Sequence, residues 1–105
     1  MTGKEFDKII NDQLNYCKEL LCQKNKEYNP ALDNRFHSFL NAAALQGISP
    51  KKALAGMMAK HTISIYDMCE SGSYSVEKWT EKITDHINYL LLLKALIIEQ
   101  EEQNE

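Results

Sequence analysis

From Trp79 to Ile98 the chain runs without a proline or glycine, and its character changes halfway along. Trp79, Ile83, Ile87, Leu90 and Leu91 recur at spacings of three and four, while Glu81, Asp85 and Asn88 fall on the opposite side, so the pattern is that of an amphipathic helix. From Leu90 to Ile98 the segment is apolar nearly all round. Such a stretch can only be one long helix, roughly 26 residues and about 39 Å with its start signal included. A helix apolar on every side has to be covered on every side. The expectation is self-association through this fourth helix, with Glu81, Asp85 and Asn88 beside the seam.

Start and stop signals divide the rest of the chain. Thr2-Gly3-Lys4-Glu5 has the form of a capping box, and Phe6, Ile9, Ile10, Leu14, Cys17, Leu20 and Leu21 then trace one apolar face, predicting a helix from Gly3 to about Lys26. Asn29-Pro30 ends it, because the residue before proline is pushed out of the helical region. Asp33 can cap a shorter helix with Phe36, Phe39, Leu40, Ala43 and Ala44 turned inward and Gly47 as its stop. Ser49-Pro50 starts a third, in which Leu54, Met57, Met58, His61, Ile65 and Met68 face the core. Ser71-Gly72-Ser73 breaks it, and Ser73 or Ser75 caps the fourth. No segment has the two-residue alternation of a half-buried strand, and the links are short. The predicted fold is all-α, a single domain over residues 1–105 forming an antiparallel four-helix bundle, with 99–105 as an acidic, frayed end.

Bulk properties narrow the function. The net charge of -3 is concentrated in Glu99, Glu101, Glu102 and Glu105, so the remainder is close to neutral, with neither a basic stripe nor a motif that reads a nucleic-acid polymer. The longest uninterrupted apolar run, Tyr89 to Leu93, is far shorter than the roughly 20 residues a membrane span needs. The first residues lack the apolar core of a secretory signal, and the expected location is the cytoplasm, the host's if the chain is phage-encoded. Cys17, Cys22 and Cys69 have no C-x-x-C spacing and are expected to be reduced, packed thiols.

Three constellations carry chemistry. Glu81 and Asp85 lie one helical turn apart and can share a hard divalent cation such as Mg2+, the cofactor this reading admits, with Asn88 continuing the line toward a base edge or water; the alternative is a solvated face paired with Lys78 and Lys82. Lys60, Ser64 and Asp67 flank the apolar stripe of the third helix, where Lys60 meets either a phosphate or Asp85 across the bundle. With Glu70 added, Asp67, Glu81 and Asp85 would make a two-helix metal cage. Finally, Lys24, Tyr28 and Arg35 combine cations with an aromatic, as a phosphorylated ligand bearing a base requires, or else form an ordinary polar loop. His37, His61 and His86 lack a partner at fixed spacing, so no catalytic residue is assigned.

Lys24-x-x-x-Tyr28, Phe39, Met57-x-x-Lys60 and Asp85-x-x-Asn88-Tyr89 followed by leucines resemble the small helical phage proteins of the nucleotide-modification-associated family, over residues 17 to 98. More distantly, Glu81-Lys82-Ile83-Thr84-Asp85 is similar to the last metal-binding helix of MazG-like nucleoside triphosphate pyrophosphohydrolases. The second resemblance implies a dimer or tetramer holding magnesium between an E-x-x-E and an E-x-x-D helix. Lys82 stands where the first acid of E-x-x-D belongs, and Asp67-x-x-Glu70 stands in for E-x-x-E. A cation at a ligand position weakens metal binding and hydrolysis more than nucleotide binding. The expectation is a protein that sequesters or senses a nucleotide or nucleotide-derived small molecule through Lys24, Tyr28, Arg35, Lys60, Ser64, Asp85, Asn88 and Tyr89. A magnesium-dependent pyrophosphohydrolase and a helical protein-interaction module are the alternatives.

Overall fold

The computed structural model describes residues 1–27 and 37–103, with side chains for 1–21 and 40–102. These form four helices: α1 (Gly3–Glu27), α2 (His37–Gln46), α3 (Pro50–Glu70) and α4 (Val76–Gln103). Among the described residues there is no strand.

Local chemistry sets the ends. The Thr2 hydroxyl accepts from Glu5 N at 3.1 Å and the Glu5 carboxylate accepts from Thr2 N at 3.2 Å, the reciprocal pair of a capping box. At the end of α2, Ile48 N donates to Ala43 O and Gly47 N to Ala44 O, with Gly47 at φ 67°; this is a Schellman closure, which needs the left-handed residue that glycine supplies. Ser49 caps α3 by accepting from Lys52 N, with Pro50 behind it. Of the two candidate caps for α4 it is Ser75 that acts, accepting from Lys78 N at 3.1 Å. The start expected at Asp33 lies outside the described residues.

The helices pack in a row: α1 on α4, α4 on α3, α3 on α2, and among the described residues no other pair packs. His61 meets Tyr89 and Leu54 clusters with Leu96, so α3 and α4 run antiparallel. The row is extended, with a radius of gyration of 16.2 Å, against about 13 Å for a compact chain of this length. Its core is correspondingly thin. The buried apolar side chains among the described residues are Cys17, Ala43, Ala53, Leu54, Met68 and Leu96. On α3, Met57, Met58, His61 and Ile65 are half-buried, as their stripe predicts.

Three expectations are corrected. Ala44 is exposed, because among the described residues α2 packs only on α3 and Ala43 takes that side. Cys17 is buried but Cys69 is exposed, so not every thiol is packed; the Cys22 side chain lies outside the described residues. The largest difference concerns α4. Thr84, Asn88 and Leu96 are its buried positions, while Ile83, Leu90, Leu91, Ile97 and Ile98 are exposed. The helix turns much of its polar side in and much of its apolar side out. On α1, too, Phe6, Ile9, Ile10 and Leu14 remain exposed, since among the described residues only α4 packs against this helix.

Candidate functional site between the third and fourth helices

The inward polar face of α4 is built around Thr84. Its hydroxyl donates to Thr80 O, one turn back, at 2.6 Å and accepts from Gln13 Nε2 of α1 at 2.6 Å. Gln13 also reaches Cys17 Sγ at 3.4 Å. One turn beyond Thr84 lies Asn88, 4% exposed, and neither its Oδ1 nor its Nδ2 has a hydrogen-bond partner. A buried amide left unpaired costs about 1–3 kcal/mol per group, so native proteins keep few of them. Half-buried Asp85 and Tyr89 flank it, and the Tyr89 ring lies against His61 at 4.8 Å between centroids. His86 Nδ1 is also buried without a partner.

Toward the α3–α4 turn, the two helices open into a cleft of about 380 Å3 lined by Lys60, Ser64 and Asp67 from α3 and by Tyr74, Lys78 and Lys82, with Met68 at its apolar side. The turn itself shapes this end. Gly72 sits at φ 83°, and a Cβ there would come 3.3 Å from the Tyr74 ring. Tyr74 in turn packs edge-on against Trp79, with centroids 6.1 Å apart. Lys60 borders a second hollow of about 660 Å3 against Lys52, Gly56 and Met57.

The ion pairs decide between the sequence alternatives. Among the described residues Lys60 makes no salt bridge, so the pairing with Asp85 across the helices is absent; the carboxylate face is engaged only by Lys78, 3.9 Å from Glu81, with both side chains about half exposed. Such a contact contributes little. Glu81, Asp67 and Glu70 are exposed. Among the described residues no three His, Cys, Asp or Glu side chains come together as a metal site, so Asp67, Glu70, Glu81 and Asp85 do not form the expected cage within one chain. Asp67 points its row into the lysine cleft, whereas Asp85 belongs to the half-buried side of α4.

Lys60 and Ser64 therefore share one cleft, whose lining includes neither Asn88 nor Tyr89; Asn88 is buried one turn beyond Thr84, and Tyr89 meets His61 of α3. Lys24, Tyr28 and Arg35 lie outside the residues whose side chains are described. Tyr74, Lys78 and Lys82 were not among the expected ligand residues. The signal for the two lysines was their i, i+4 spacing, which puts both on one side of α4. Comparison with protein-family models, with curated proteins and with solved structures finds no match. Among the described residues no helix is long and apolar enough to cross a membrane.

Proposed function

We propose that this protein binds a nucleotide or nucleotide-derived small molecule and holds it intact. The observation that carries the reading is Asn88, whose buried carboxamide has a free donor and a free acceptor. A carboxamide offers both on one plane, which is what the edge of a base complements. Next to it, Tyr89 shares a face of α4 with Lys82, seven residues earlier and about 10 Å along the axis, a span that suits a base at one end and phosphate at the other. Binding is favoured over turnover because the four candidate metal ligands are dispersed.

A second observation supports a bundle completed by self-association through α4. Ile83, Leu90 and Ile97 repeat every seven residues on its exposed side, with Ile87 between them, and exposed α1 residues Phe6, Ile9, Ile10 and Leu14 extend the apolar surface. Patches beyond a few hundred Å2 mark interaction surfaces. Lys94 stands in the same seam, so antiparallel pairing, which separates the two lysines, is preferred to parallel pairing, which opposes them.

The test is incubation of purified protein with a nucleotide panel, with and without magnesium, following products by chromatography and binding by calorimetry. Saturable binding with the ligand recovered intact is expected. Release of pyrophosphate that disappears in E81A/D85A would replace the binding protein by the enzyme. No binding by any nucleotide would leave the interaction module.

A further inference from the structure

The α3–α4 cleft has a charge balance that the nucleotide reading does not by itself require. Lys60, Lys78 and Lys82 face into it against one carboxylate, Asp67. Among the described residues only Lys78 of the three is in a salt bridge, the long one to exposed Glu81. Ser64 and Tyr74 add hydroxyl groups, and Lys78 belongs to the first turn of α4, where the helix dipole is positive. Like charges gathered around one hollow repel one another, and an anion seated among them relieves that repulsion.

We infer that this cleft is a binding site for a chain of linked phosphates, held by ammonium groups without a divalent cation. The inference rests on the nucleotide reading only for the identity of the molecule that carries the phosphates. Lys78 and Lys82 are one helical turn apart, about 6 Å along the axis, and Lys60 faces them from α3, an arrangement longer than a single phosphate needs. A volume of about 380 Å3 lies within the roughly 300–1,000 Å3 of small-molecule pockets. The three ammonium groups supply the countercharge that magnesium supplies elsewhere, so chelation leaves binding intact. Magnesium, by neutralising the ligand in solution, weakens it. Because the cleft is open to water, affinity falls as salt rises.

The probe is inorganic tripolyphosphate, titrated by calorimetry into the full chain at about 50 mM salt with a chelator present. Saturable binding is expected, weakened roughly threefold to tenfold in K78Q or K82Q and abolished in K60Q/K78Q/K82Q, with helicity by circular dichroism unchanged. Absence of binding to the native protein, or unchanged binding in the triple variant, overturns the site. A parallel titration with a nucleoside triphosphate separates the two claims. If the nucleoside adds no affinity over tripolyphosphate, the phosphate site stands and the nucleotide reading falls. If the nucleotide binds equally well without the three lysines, the reading stands and the site falls.

Discussion

Replacing Asn88 by leucine should stabilise the empty protein and weaken its hold on a nucleotide. The side chain is 4% exposed with both polar atoms unpaired. Leucine has the same branched outline with bulkier ends, removes an amide whose unmet hydrogen bonds cost about 1–3 kcal/mol, and improves helix propensity by roughly half a kcal/mol. For a domain near a hundred residues each kcal/mol moves the midpoint by roughly 4 °C or more, so N88L should melt on the order of 5–15 °C higher. Thermal unfolding by circular dichroism, read without ligand, measures this directly. The same melts with nucleotide at about one hundred times its Kd for the native protein should raise the native protein by roughly 2.7 kcal/mol and N88L by clearly less, since only the phosphate contacts remain. The gain in stability with loss of affinity is the mark of a polar group kept for a ligand. An N88L variant that melts at or below the native protein would refute the reasoning, since the carboxamide would then be bonded in the free protein.

Other perturbations test the frame around the site. Thr84→Val, at a fully buried position, takes the oxygen partner from half-buried Gln13 Nε2 and should cost about 1–2 kcal/mol, read as a lower urea midpoint at constant slope. Gly72→Ala forces a left-handed residue and a Cβ against Tyr74; a loss of about 1–2 kcal/mol is expected, together with a change in the near-ultraviolet signal of the Tyr74–Trp79 pair. Leu90→Glu puts a charge in the centre of the exposed seam and should shift the mass by light scattering from oligomer to monomer with little loss of helicity. A monomeric native protein at micromolar concentration would remove the self-association proposal.

The helices were legible because their signals are local. Thr2 with Glu5, Gly47, Ser49-Pro50 and Ser75 each satisfy orphan backbone groups within a few residues, and a single sequence records such chemistry. The orientation of α4 was not legible, because periodicity separates polar from apolar faces without saying which one meets a neighbour. Leucines occupy both sides, with Leu92, Leu93 and Leu96 inward and Leu90 and Leu91 outward. Gln13, a polar residue in the middle of the α1 stripe, was the clue that the opposing surface is polar, and its partner is Thr84. Lys60 and Ser64 could be singled out from their helix alone, but Lys78 and Lys82 join them through the pairing of α3 with α4, which no spacing within one helix encodes.

The most direct measurement of the central claim is the pair of side-chain amide resonances of Asn88 in a 15N-labelled sample, assigned by their absence from N88L. On addition of a nucleoside triphosphate to saturation, both should shift and exchange more slowly with solvent, as the amide gains its first acceptor. Resonances that stay in place at saturation would contradict the account.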